Sequence, residues 1–322
     1  MPSLRRRDAL AWIAASASAL AGCRRASAPS GKLRVQLDWV PEPEFGGLYE
    51  ARASGAFARE GLEVELVGGG PSTPVVQLVA SGGADLGVVA GEELVVARAR
   101  GVDLVAIYAT YQSSPQGIMV HASRGLRRLE ELEGGSLALD TGAPFGAFVQ
   151  AKFPLSKVTI VSTDGGVAKF LSDQRHAQQC FVTSEPVAAK QAGSDPQVFT
   201  AKSLGFDSYA NVVVARGEAL RGGGDRARAM VRALQAGWRG YLSSPARANA
   251  QMASLNRAMD AATFAQVAEA QRPLVESDDT RALGLGAMRA GRWKALIDQL
   301  VAVKIIGADA APKPEACFVF AT

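Results

Sequence analysis

From Lys32 to about residue 215 the chain alternates short strand-patterned runs with short helix-patterned runs, and this constrains the fold more than any other feature. Leu33, Val35 and Leu37 alternate with polar neighbours over 32–39, the period of a half-buried strand. Residues 45–60 carry Leu48, Ala51, Ala56 and Phe57 at helical spacing and stop at Gly61, a residue that accepts left-handed geometry. Further strands are expected at 62–67, 85–89 and 102–109, with helices at 73–81 (capped by Ser72) and 92–100. The pattern resumes with strands at 117–121, 136–140, 158–161, 178–182, 198–201 and 211–215, and helices between them. From Asp225 onward the composition is helical, over 226–243, 245–255, 261–270 and 292–303. Alternating β and α runs predict mainly parallel sheets covered on both faces. Two such series predict an α/β chain of two lobes with a cleft between them. Thr110–Ser114 reads as one crossing and Val214–Gly217 as the return. Residues 32–110 with 216–322 then form lobe one, and 111–215 form lobe two.

Composition narrows the function. At 48% apolar and 20% charged residues, the 322-residue chain can build a large core, which excludes wholesale disorder. Its 35 basic and 31 acidic side chains are too balanced for bulk electrostatic binding of nucleic acid. Two histidines and three cysteines leave few ligands for a zinc or haem site, and no metal or cofactor is expected.

The first 22 residues read as an export signal. Arg5, Arg6 and Arg7 precede an apolar stretch from Ala9 to Leu20, too short to span a bilayer. The stretch ends in Leu20-Ala21-Gly22-Cys23, which resembles a bacterial lipobox, so Cys23 is expected to be acylated and to anchor the chain to the membrane from the periplasmic side. Export by the general or the twin-arginine route is left open by Arg6-Arg7. Residues 23–31 read as a tether. Cys180 and Cys317 sit in separate apolar runs, as two buried thiols or, less simply, as a disulfide.

Three segments carry a family resemblance: Val35-Gln36-Leu37-Asp38-Trp39-Val40-Pro41, Phe45-Gly46-Gly47-Leu48-Tyr49-Glu50-Ala51 and Gly55-Ala56-Phe57-Ala58-Arg59-Glu60-Gly61-Leu62-Glu63-Val64. Residues 79–88, Gly166–Leu171 and Ser184-Glu185-Pro186 continue it. The chain resembles the thiamine pyrimidine precursor-binding proteins and thiamine pyrimidine synthases, whose cousins are the riboflavin-, alkanesulfonate- and nitrate-binding components of ABC transporters. The resemblance implies a two-lobed periplasmic-binding-protein fold of type II. It also implies a monomer that captures a small planar solute for an ABC permease and its ATPase. The preferred solute is hydroxymethylpyrimidine or its formylamino precursor, followed by riboflavin and then an alkanesulfonate.

Candidate ligand-binding residues follow from position. Trp39, just past the first strand with Asp38 beside it, offers either a stacking face for a heterocycle or a core indole. Phe45 and Tyr49 accompany it in the motif. The turns holding Gly70 with Ser72 and Thr141 with Gly142 each join a strand to a helix and could present N–H groups to a ligand oxygen. Glu185 and Glu92 open helices; the resemblance implies acceptors for a ligand amino group, and position alone allows ordinary first-turn acids. Tyr111 and Gln112 lie at the presumed crossing, and Tyr209 and Asn211 near the return. The synthases of this family use a lysine-bound pyridoxal phosphate, a consumed histidine and an iron-binding cysteine stretch. Those places fall near Val89, Glu93 and Gly205–Val213, where this chain has no lysine, histidine or cysteine. The expectation is a binding protein, not an enzyme.

Overall fold

The computed structural model describes residues 31–70, 72–221 and 224–319. The export signal, Cys23 and most of the tether lie outside the described residues. Residues 33–319 contain two five-stranded sheets. The first has the order β2-β1-β3-β10-β4, from β1 (Leu33–Gln36), β2 (Val64–Val67), β3 (Leu86–Val89), β4 (Leu104–Tyr111) and β10 (Ala210–Arg216). The second has the order β7-β6-β8-β5-β9, from β5 (Gln116–His121), β6 (Ser136–Leu139), β7 (Thr159–Ser162), β8 (Ala177–Phe181) and β9 (Pro196–Thr200).

Both sheets are mixed. In the first, β1 pairs parallel with β2 and β3, while β10 pairs antiparallel with β3 and β4. In the second, β6 pairs parallel with β7 and β8, while β5 runs against β8 and β9. Four strands of each sheet therefore share one direction, and the reversed fifth is the strand that enters from the other lobe. The mainly parallel reading holds with that exception.

The lobe boundary at 215 needs correction. Ala210–Arg216 lies between β3 and β4 in the first sheet, so the chain returns over 201–209. A run of buried Val and Ala carries no mark of which sheet it enters. The first crossing, 112–115, is pinned by the C-terminal part of the chain: the Gln112 N–H donates to the Leu274 carbonyl (2.6 Å), and its side-chain amide donates to Ala109 and Ala287 carbonyls.

The helical tail completes lobe one. Helix Asp225–Ser243 buries Met230, Leu234, Trp238 and Tyr241 on one stripe. This stripe packs against helix Gly46–Ala53, where the backbones come close. A Cβ at Gly46 would enter the Tyr241 ring, one at Gly47 would enter the Trp238 indole, and one at Gly237 would meet the Gly47 carbonyl. At the other end, Trp293 stacks near Phe318 and Tyr209, and Ala106 on β4 bridges Phe318. Cys180 and Cys317 are both buried and free, in different clusters. Among the described residues, no helix is long and apolar enough to cross a membrane.

Candidate functional site

The carboxyl ends of β1, β3, β6 and β8 bring their loops and helix starts to the space between the lobes, where open α/β sheets take ligands. Trp39 stands past β1 and is 39% exposed, far more open than the sealed Trp238 and Trp293. Its indole face is not consumed by the core.

Around it the loops are acidic. Asp38, Glu42 and Glu44 follow β1, Glu92 and Glu93 open the helix Gly91–Ala99, Asp140 follows β6, and Glu185 opens the helix Glu185–Gln191. Burial, with Glu93 adding repulsion, pushes the Asp38 carboxyl up to about 7. Burial also pushes Glu42 up to about 7, against hydrogen bonds from the Trp39 and Asn256 side chains. Glu44 is driven well above the usual range by burial and then by Asp38 and Glu42. Burial lifts Glu92 to about 7, and it raises Glu93 and Glu185 as well. The charged neighbours acting on these groups are other acids. Several remain within reach of solvent while crowded by protein, the condition of side chains in a cleft wall.

Specific contacts hold them. The Asn211 side-chain amide donates to Glu44 (3.2 Å), and Asn211 adopts a left-handed backbone (φ 49°), which Asn tolerates better than most residues. Gln116 donates to Glu92 Oε1 (2.8 Å), Gln179 donates to Gln116 (3.1 Å), and the Asp140 N–H donates to Gln179 (3.0 Å). This run of amides joins the Glu92 carboxyl of lobe one to the Asp140 turn of lobe two. Glu92 is 2% exposed, and its Oε2 is buried without a partner, as is Asp38 Oδ1. The Ser208 hydroxyl lies beside Glu92 without a hydrogen bond of good geometry.

Of the residues singled out in the sequence, Asp38, Trp39, Glu92, Glu185 and Asn211 meet in this region. Glu185 accepts from the Phe181 N–H (2.7 Å), so one of its oxygens is engaged at its own helix start. Phe45 and Tyr49 belong instead to the lobe-one core, with Arg52 over the Tyr49 ring. Tyr209 packs on Trp293, beneath Arg292, and its hydroxyl accepts from the Arg289 N–H. Tyr111 is buried and donates to Gln271 (2.6 Å), although Glu44 is near enough to raise its pKa. Gln112 braces the crossing.

The two turns spend their N–H groups internally. Gly69 donates to the Trp39 carbonyl, Gly70 to Thr73 Oγ1, and Gly142 to Asp140 Oδ1. Ser72 is exposed with φ 68° and caps nothing; the helix begins only at Val75, after Pro74. Thr141 and Gly142 are exposed at the rim. Sequence reasoning missed Glu42, Glu44, Glu93 and the Gln116–Gln179 pair. The run Pro41-Glu42-Pro43-Glu44, directly after the Trp39 loop, was the available signal: two acids on a proline-stiffened loop at a strand end.

The NMT1/THI5-like family model matches residues 42–248. The formylaminopyrimidine-binding protein of Halalkalibacterium halodurans is 24% identical over 304 residues, covering 87% of this chain and 89% of that protein. The riboflavin-binding protein RibY of Chloroflexus aurantiacus is 22% identical, covering 81% of this chain and 78% of its own. The periplasmic aliphatic sulphonate binding protein SsuA from Escherichia coli superposes with a TM-score of 0.66 at 14% identity, over 90% of this chain and 92% of that one. This likeness establishes the two-lobed periplasmic-binding-protein fold. With most of the described body matched from Glu42 to Ala248, the chain belongs to the NMT1/THI5-like family.

Proposed function

We propose that this chain is the solute-capturing component of an ABC import system. It is anchored by lipid at Cys23 on the periplasmic side of the membrane and works as a monomer with a permease and an ATPase. Its solute is a thiamine-pathway aminopyrimidine, hydroxymethylpyrimidine or its formylamino precursor. The observation that carries this reading is an open indole, Trp39, beside carboxyls whose charged neighbours, among the described residues, are other acids. A flat ring can stack on the indole while its amino edge donates to the acids. A sulfonate would bring a second negative charge into the same space. The similarity to a formylaminopyrimidine-binding protein supports the choice, and the similarity to RibY keeps riboflavin as the second reading. Catalysis is not proposed: the two relatives named above are binding proteins, and the resemblance to the synthases puts their lysine near Val89, where this chain has none.

Calorimetric titration with hydroxymethylpyrimidine, formylaminopyrimidine, riboflavin and taurine tests the reading. The expected result is saturable heat with a pyrimidine and none with taurine. Binding of taurine with silence from both pyrimidines overturns it.

A further inference from the structure

A neutral heterocycle can donate to the acids between the lobes, but it brings no charge opposite to theirs. Seven carboxyls from four strand ends and both lobes share this space, and the charged groups acting on Asp38, Glu42, Glu44, Glu92 and Glu93 are again acids. The other titratable groups in their reach are the Tyr111 hydroxyl, which gives its proton to Gln271, and the Cys180 thiol, which Glu185 influences. Neither can supply positive charge. Among the described residues, Glu92 Oε2 and Asp38 Oδ1 are buried with no hydrogen-bond partner of good geometry, although the Ser208 hydroxyl lies beside Glu92. A buried acceptor left unpaired costs free energy, so these two atoms call for a donor from outside the chain. Among the described residues, no three acids converge closely enough to hold a metal ion. A positive charge spread over an extended organic group suits this lining. The open face of Trp39 fits such a group, since an indole attracts a cation lying over its ring.

We propose that the cleft takes its ligand as a heteroaromatic cation, stacked on Trp39 and paired with carboxylates from both lobes. This inference rests on the reading of the cleft as the site for a flat heterocycle, and it names the charge of that heterocycle. On entry the cation replaces protons held by the acids, and those protons leave to solvent. Affinity for a fixed cation therefore rises with pH through the range in which the acids ionise.

The test uses two pairs of probes on the purified full chain, with taurine as the anionic control. Thiamine is a fixed cation bearing an aminopyrimidine, and hydroxymethylpyrimidine is its uncharged counterpart at mildly alkaline pH. 1-Methylnicotinamide, methylated at the ring nitrogen, and nicotinamide are a second pair, differing by one methyl and one charge. Calorimetry in two buffers of different ionisation heat counts the protons released. The expected result is a cation bound about tenfold or more tighter than its neutral partner, with protons released and affinity rising from about pH 5.5 to 7.5. If only the nicotinamide pair behaves so, the charge inference stands and the pyrimidine reading falls. A neutral member binding as tightly as its cation, without proton release, overturns the inference; where that member is hydroxymethylpyrimidine, the pyrimidine reading survives. Binding of taurine, or of none of the probes, overturns both.

Discussion

Asp38, Glu42 and Glu92 each hold a proton to about pH 7 because the fold removes them from water and sets them among like charges. Unfolded, such carboxyls ionise near pH 4. The folded state thus binds more protons than the unfolded state between these limits. Stability contributed by these groups is full below the unfolded value and is lost as pH rises through the folded one. Asp103, Glu131, Asp173 and Asp260 are shifted down by hydrogen bonds, so their effect lies at lower pH, while His176, lowered by burial, opposes the carboxyls within the window as a single group against several. The ligand-free protein is expected to melt at a higher temperature near about pH 5 than near about pH 8, and Asp38→Asn should flatten that slope. A melting temperature that climbs over the same range would contradict the placement of these acids. Trp39 and Asp38 could be picked out as candidate site residues because they sit at a strand end beside a motif. Phe45, Tyr49 and Tyr209 misled because an aromatic residue near a motif looks alike whether it faces the cleft or the core. Only the packing partners, such as Trp293 beneath Tyr209, separate the two.

At the scale of elements, the segment Gly46-Gly47-Leu48-Tyr49 is explained by packing. The two glycines let helix Gly46–Ala53 approach helix Asp225–Ser243 closely enough for Tyr241 and Trp238 to lie against its backbone. Gly47→Ala places a methyl inside the Trp238 ring and should cost about 1–3 kcal/mol, read as a lower urea midpoint with an unchanged slope. An unchanged midpoint would mean that the helices part without penalty. The long tail helices were legible because their apolar stripe repeats over several turns. The short ones, Gly217–Arg221, Arg272–Val275 and Asp278–Leu283, were not, since so few residues show no period. The expected single helix over 45–60 is broken at Gly55, whose φ of 73° ends one helix and starts the next.

Across the whole molecule, the two sheets repeat one plan, with each reversed strand arriving from the opposite lobe. The crossings are braced by the tail, and the amide run from Glu92 through Gln116 and Gln179 to Asp140 ties both lobes at the base of the cleft. A further bond spans the lobes away from the crossings: Gln191, ending the helix that Glu185 opens, donates to Gln266 in the tail helix Ala261–Ala270 (2.8 Å). Because Trp238 and Trp293 are sealed in lobe one, a ligand in the cleft should change the emission of Trp39 and leave theirs alone. The most direct measurement is a fluorescence titration of the protein and its Trp39→Phe variant with hydroxymethylpyrimidine and with taurine. The account predicts that the pyrimidine quenches the emission saturably, that the variant loses this quenching, and that taurine does nothing. Equal quenching in the variant, or saturation by taurine alone, would contradict it.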